Sequence, residues 1–375
     1  MGSLNQEVRW GFWGAGAIAH RVARDLRRVG GASLVAVASH SGESAIALAR
    51  LHKVPRVHSS LEALLNDLDV DVVYVSTPHH RHAEDAVACL RAGKAVLCEK
   101  PFALNELQAS AILAEAARAN RFCMEAMWTR FVPAVQAASR LAREGAIGRL
   151  RAIAGDFAYA MVPDPKSRLF ALEMGGGALL DRGVYLVSLA QSLLGEPVAV
   201  QAQAQLAETG VDLNSAYQIR YADGAFAQLW AGLTVRGTNS FVIVGEKGRI
   251  RLHEPFYGAH RFSMLLDRPV PTSTPYPAAS RRGVASMIKR VATQSGISRR
   301  VDWLRSAPRH LASQSLGFRG DGYQFELAEV VRCMRAGLVE SPVMPLAASQ
   351  AVARTMDRLR ASWSMSSSTD FGRTS

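Results

Sequence analysis

The stretch Gly14-Ala15-Gly16-Ala17-Ile18-Ala19 constrains this chain more than any other. It comes after a short apolar run at 8–13 and opens an apolar-periodic segment reaching about residue 29. Between a strand and a helix, the first glycine permits a tight turn and the second lets backbone approach a pyrophosphate. The small third residue lets the helix pack on the strand. The pyrophosphate then rests on the helix N-terminus, where free N–H groups point outward. Gly14, Gly16, Ala17 and Ile18 are therefore the expected cradle. Glycines kept only for close packing are the plainer reading of the same pattern. The next hundred residues favour the cradle. Strands are predicted at 33–39, 71–76 and 95–99, with helices over 43–52, 60–67, 81–92 and 106–119 and a last short strand at 121–125. Strands alternating with helices predict a parallel, doubly wound α/β sheet: a Rossmann dinucleotide-binding domain over 1–126.

Ligands of such sheets bind beyond the carboxyl ends of the strands. The strand at 95–99 runs into Glu99-Lys100-Pro101, and Pro101 has no N–H to continue a ladder. Lys100 is thus expected at that end, free to hold a cation against a substrate oxygen. The bland alternative is a solvated charge after a strand. An NAD-selective site usually ends its second strand with an acid for the ribose 2′-hydroxyl. Here the strand ends Ser39-His40-Ser41, which suits a 2′-phosphate better, so NADP is favoured, with Glu43 close enough to leave NAD open. Thr77 and Pro78, after the third long strand, are expected along the nicotinamide, and His82 is expected to cap or face the cofactor. His79, His80 and His82 invite a metal reading, but no Cys or carboxylate joins them at ligand spacing, and no metal is expected.

Beyond residue 125 the pattern changes. Strands are predicted at 152–159, 198–206, 215–221, 225–233, 240–245 and 248–253, several separated by tight turns such as Ala222-Asp223-Gly224. Little helical spacing lies between the later ones, which predicts an open, mostly antiparallel sheet in a C-terminal α+β domain over 127–363. Within it a Gly175-Gly176-Gly177 run leads to Asp181 and Tyr185, four apart and hence on one helical face. A tyrosine is a proton donor when a nearby cation tunes it; a core tyrosine is the alternative.

The 375 residues exceed what one core usually holds, and 49% apolar with 20% charged residues is a globular balance. No apolar run approaches a membrane span, and the first residues lack a basic-then-apolar signal. Four dispersed cysteines in apolar surroundings fit buried thiols in a reducing cytoplasm. The net charge is +12, of which the window 280–310 contributes +7. Without a nucleic-acid motif, this window reads as a solvated insertion, assigned to 280–315, and nucleic acid is not an expected partner. The Ser- and Thr-rich tail at 364–375 is expected to be disordered.

These pieces together resemble the Gfo/Idh/MocA oxidoreductase family, through Gly14-Ala15-Gly16, Glu99-Lys100-Pro101 and the glycine run before Asp181 and Tyr185. The dihydrodiol and xylose dehydrogenase branch is the nearer match. It shares Met124-Glu125-Ala126-Met127-Trp128-Thr129-Arg130-Phe131 and Asp164-Pro165-Lys166-Ser167-Arg168-Leu169. The resemblance implies that Lys100 and Tyr185 lie beside the nicotinamide and that the C-terminal sheet pairs two copies into a dimer. His40 stands where the branch often carries Arg. The expected activity is hydride transfer between the cofactor and an aldose, polyol or cyclic diol. Tyr185 would be the acid/base, Lys100 would lower its pKa, and Glu99 and Asp181 would orient neighbours. Trp128, Arg130 and Phe157 would line the substrate pocket, against core packing or an ion pair as plainer roles. A nucleotide-binding sensor of the same fold, without turnover, is the alternative.

Overall fold

The computed structural model describes residues 7–162, 164, 167–267 and 310–366. The N-terminal half is a parallel six-stranded sheet in the order β3-β2-β1-β4-β5-β6. Its strands are β1 (Val8–Trp13), β2 (Ala32–Ala38), β3 (Arg56–His58), β4 (Val72–Val75), β5 (Ala95–Glu99) and β6 (Cys123–Ala126). Helices α1 (Ala17–Leu26), α2 (Gly42–His52), α3 (Leu61–Leu65), α4 (His82–Arg91) and α5 (Glu106–Ala119) connect them. The sequence shows why α1 packs where it does. Ala19, Val22, Ala23 and Leu26 recur at helical spacing and all are buried. Burying Val22 and Leu26 stabilises by roughly 1.5–3 kcal/mol each. All five β5 residues are buried, as a central parallel strand covered on both faces requires. The strand order reverses between β1 and β4. A ligand crevice is expected there, outside the carboxyl ends.

The second sheet has eight strands in the order β14-β13-β12-β11-β7-β10-β9-β8. These are β7 (Leu150–Ala158), β8 (Pro197–Leu206), β9 (Asp212–Tyr221), β10 (Phe226–Gly232), β11 (Phe241–Gly245), β12 (Gly248–Leu252), β13 (Arg261–Leu266) and β14 (His310–Ser315). Every pair is antiparallel except β7 with β10. In β9, Tyr217, Ile219 and Tyr221 are buried while Ala216, Gln218 and Arg220 face out, the period-two pattern of a half-covered sheet. The buried face is covered by α6 (Pro133–Arg143) and α7 (Val184–Leu194). The outer face carries a cavity of about 610 Å³ edged by Gln201, Gln218, Gln228 and Trp230. Two last helices, α8 (Gln324–Arg335) and α9 (Leu346–Ser366), reach back across the molecule: α8 packs on α1, and α9 on α5, α7 and β8.

Four elements differ from the sequence reading. The pattern predicts neither β3 nor β13, nor helix α6. Residues 310–315, assigned to the basic insertion, form β14 and extend the sheet by pairing with β13. The rest of that insertion, 280–309, and the tail from 367 lie outside the described residues; residues 364–366 close α9.

Candidate active site

A cavity of about 570 Å³ opens where the strand order reverses. It is lined by Gly14, Gly16, Ala17, Ile18, Ser39, His40, Ser41, Thr77, Pro78, His82, Glu99, Lys100 and Tyr185, together with Ala15, Ser76, His79, Arg168 and Tyr323. Gly14 has φ +109°, and a side chain there would strike the Ser76 carbonyl. Gly16 is different. A Cβ on it would meet nothing within 4 Å and would project into open space at the start of α1. That is the room a pyrophosphate needs, so the residues present fit a dinucleotide.

At the end of β2, Ser39, His40 and Ser41 line the cavity. His40 lies against Trp13, ring centroids 4.7 Å apart. Ser39 Oγ accepts from Ser44 Oγ at 3.1 Å, and Ser41 Oγ caps α2 through the Ser44 N–H. Thr77 turns its hydroxyl inward, donating to Asp85 at 2.7 Å. His82 is buried, with Nδ1 2.8 Å from the Pro101 carbonyl and Nε2 2.8 Å from the Thr77 carbonyl. It therefore braces the loops after β4 and β5.

At the other end Lys100 emerges from β5 and meets the turn after the glycine run. Gly177 has φ +107° and lies against Asp212, whose carboxylate accepts from the Leu179 N–H at 2.8 Å. This anchors one turn of π-helix, Leu179–Gly183, a widened geometry common at functional sites. Asp181 lies on that turn and Tyr185 in the first turn of α7. Lys100 Nζ donates to the Asp181 carbonyl at 2.8 Å and pairs with its Oδ1 at 3.2 Å. The same ammonium stands 5.0 Å above the centre of the Tyr185 ring. Tyr185 Oη accepts from Trp128 Nε1 at 3.1 Å.

The electrostatics sort these groups. Burial alone would raise the Asp181 carboxyl, but Lys100, then Arg168, His79 and Arg182, outweigh it and hold the group well below the usual range. Arg168 lies 3.6 Å and Arg182 3.7 Å from its oxygens. His79 is driven well down by burial and by Arg168. Its Nδ1 faces the Gly175 carbonyl at 2.8 Å and its Nε2 faces Arg168 at 2.9 Å, the pattern of a neutral imidazole. Tyr185 is pushed well above its ordinary value by burial, with Tyr323 and Glu99 adding and the Trp128 N–H opposing. The expectation that Lys100 lowers the Tyr185 pKa is not met by this geometry. Its ammonium pairs with Asp181 and lies over the ring face, and burial raises the phenol rather than lowering it.

The residues assigned to substrate do not all gather here. Trp128 reaches the site through Tyr185. Phe157 stacks on Tyr257 at 4.3 Å and meets Tyr185 edge-on at 5.2 Å, within an aromatic wall. Arg130 is elsewhere. It is buried, its Nε and Nη2 donate to Ser188 Oγ and the Ser188 carbonyl at 2.9 and 2.7 Å, and it does not line this cavity. Burial pulls it down to about 10. Its charge is used to tie the Trp128–Phe131 turn to α7. Sequence reasoning missed His79, Arg168, Arg182 and Tyr323 as parts of the site. Two signals could have found a pair of them: Arg168 lies in the Asp164–Leu169 motif, and Arg182 is the residue after Asp181.

Below the site lie three buried carboxyls. Glu99 accepts from Tyr74 Oη at 2.5 Å and from its neighbour's N–H at 3.2 Å, and burial raises it. Glu125 accepts from the Phe102 N–H at 3.1 Å and is raised likewise. Glu326 is fully buried, and among the described residues neither of its oxygens has a hydrogen-bond partner. Burial, then Glu99 and Glu125, push it well above its ordinary value. The unfolded chain releases this proton near pH ~4.3, whereas the folded chain keeps it. Stability from this group is therefore complete below that pH and declines as pH rises, by about 1.4 kcal/mol per pH unit until the folded value is reached. Glu326→Gln cannot ionise and escapes the decline. Its melting temperature is expected to match the parent near pH 5 and exceed it increasingly towards pH 8. Parallel curves for the two proteins would show that Glu326 is not held neutral.

Known proteins place this geometry. The family described as "Oxidoreductase family, NAD-binding Rossmann fold" matches residues 8–127, and "GFO/IDH/MocA C-terminal domain" matches 135–251. The trans-1,2-dihydrobenzene-1,2-diol dehydrogenase of Danio rerio is 32% identical over 359 residues, covering 94% of this chain and 96% of that protein. Among solved structures, levoglucosan dehydrogenase in complex with NADH and L-sorbose superposes with a TM-score of 0.77 at 24% identity, covering 96% of this chain and 97% of the other. A 3-ketoreductase from Actinomadura kijaniata, in complex with NADP and TDP-benzene, gives 0.76 at 24%, covering 95% and 98%. The identity held along nearly the whole chain, and the two matched domains in their order, mean that this protein belongs to the Gfo/Idh/MocA family of NAD(P)-dependent oxidoreductases.

Proposed function

We propose that this protein is an NADP-preferring oxidoreductase that acts on a CH–OH carbon of an aldose, polyol or cyclic trans-diol. The observation that carries this reading is the Lys100–Asp181–Tyr185 arrangement at the inner end of the dinucleotide cavity. A bound nicotinamide supplies the hydride acceptor or donor. The chain supplies the rest. The buried, protonated phenol of Tyr185 is suited to give a proton to a carbonyl oxygen during reduction and to take it back during oxidation. Lys100, fixed by Asp181, presents a preorganised positive charge where that oxygen gains negative charge. Arg168 and Arg182 flank Asp181 in turn, at 3.6 and 3.7 Å. The substrate class rests on the dihydrodiol and sugar relatives. The preference for NADP rests on the end of β2, where Ser39, His40 and Ser41 line the cavity and Glu43, the nearest acid in sequence, is not among the lining residues.

The test is binding of NADPH and NADH by fluorescence, then turnover on a panel of aldoses and trans-diols. NADPH should bind more tightly, and at least one diol or sugar should turn over. His40→Asp places a carboxylate where the 2′-phosphate would lie and should cut the NADPH:NADH affinity ratio by about tenfold or more. An unchanged ratio would remove His40 from cofactor selection. Cofactor binding without turnover of any panel member would favour the sensor reading.

A further inference from the structure

A second cavity, of about 540 Å³, shares no lining residue with the first. It lies between the C-terminal half of α6, the face of α7 around Leu189 and Ser192, and the Pro342–Pro345 loop. Three arginines line it, Arg130, Arg140 and Arg143, and no Asp or Glu does. Among the described residues no ion pair reaches any of the three. Arg140 and Arg143 end α6, and the helix dipole alone accounts for cations there. It does not account for Arg130, which comes from a different element and is 8% exposed. Two edges of that guanidinium are held by Ser188, while Nη1 has only a long contact, 3.5 Å, to the Val343 carbonyl on the cavity wall. Burial pulls Arg130 down, with Glu125 opposing and Arg143 adding to the fall, so the like charges already act on each other. Converging cations without a carboxylate are an incomplete charge arrangement.

We propose that this cavity is an anion site, separate from the cofactor site, that takes a small phosphate monoester. The phosphate dianion would lie among Arg130, Arg140 and Arg143, guanidinium groups being matched to phosphate by paired N–H donors. Ser139 offers a hydroxyl at the same cavity, that of Ser192 already donating to the Leu189 carbonyl at 2.7 Å, and Val135, Leu189 and Pro345 would cover the organic part. The volume falls within the range of small-molecule sites.

The experiment uses the full-length chain saturated with NADPH, which keeps the probe out of the cofactor cavity. Phenyl phosphate is titrated by calorimetry at fixed ionic strength, with phenol as the uncharged control. Wild type should bind one phenyl phosphate per chain without displacing NADPH. The variant Arg140→Ala/Arg143→Ala should bind it at least about tenfold more weakly. Both residues are exposed, so the fold should survive, and an unchanged NADPH affinity checks this. No saturable binding by wild type, equal affinity in the variant, or competition with NADPH would each overturn the proposal. Failure of turnover on sugars and diols would leave it standing, because the readout is binding alone.

Discussion

Lys100→Met is expected to lower kcat by ~10²–10³-fold or more, while NADPH binding stays within a few-fold of the parent. The size reflects what is removed: one preorganised charge in a water-poor site typically accounts for that much rate. The selectivity comes from position. Lys100 Nζ is committed to Asp181 and the Tyr185 ring, at the inner end of the cavity. The pyrophosphate cradle at Gly14 and Gly16 lies at the start of α1 and depends on backbone alone. The methionine is about as long as lysine and apolar, so the stem's packing survives. Asp181 is not stranded by the change, because Arg168 and Arg182 remain 3.6 and 3.7 Å away. Loss of fold is therefore not the expected cause of lost activity, and an unchanged melting temperature would document that. Near-normal turnover would sink the role assigned to Lys100. Loss of NADPH binding in step with turnover would make Lys100 a cofactor ligand only.

That Gly14, Gly16 and Lys100 would share one cavity was legible in the sequence because their determinants are local. Gly14 and Gly16 are fixed by a turn a few residues long, and Lys100 by a strand that Pro101 must end. The β2 terminus was legible as far as its place, since Ser39, His40 and Ser41 do line the cavity. The half of the candidate site around Lys100 and Tyr185 was partly legible. The glycine run flagged Asp181 and Tyr185, but a spacing of four reads as one face of an ordinary helix. The π-turn at Leu179–Gly183 alters that geometry, and nothing in residues 179–183 announces it. It depends on Asp212, 33 residues away, holding the Leu179 N–H. His79, Arg168 and Arg182 were missed for a similar reason. His79 and Arg168 reach Asp181 from separate elements, so their convergence is a property of the tertiary fold, whereas Arg182 is its neighbour on the same turn. Arg130 shows the opposite error. A charged residue two positions from Trp128 was expected to face substrate, yet its partner is Ser188 on α7. In the sheet, the edge strand β14 escaped because its partner β13 lies on the other side of a long basic segment. Edge strands of modest apolarity carry a weak signal until the partner is known.

Tyr185→Phe should reduce kcat by ~10²–10⁴-fold, the usual share of a positioned acid/base. This substitution has a second consequence that must be separated from the first. The Trp128 N–H loses its acceptor, and an orphaned buried donor costs about 1–3 kcal/mol. A lower melting temperature is expected alongside the lost rate. Trp128→Phe distinguishes the two effects, because it removes the donor and keeps the phenol. It should lose stability through packing and yet retain most of the turnover lost in Tyr185→Phe. The pH profile gives an independent reading. Because burial holds the phenol protonated, reduction should proceed across the neutral range without needing acid. Oxidation needs the phenolate as base, so its rate should climb as pH rises above 7 and should lose that slope in Tyr185→Phe. A variant that oxidised substrate within a few-fold of the parent, with the same slope, would exclude Tyr185 as the proton carrier. His79 could not readily replace it, since its two ring nitrogens already face the Gly175 carbonyl and Arg168. The phenol of Tyr185 thus lies beside Lys100 with its polar hydrogen not used by a described protein group. Its oxygen accepts from Trp128, and no described protein group receives its proton.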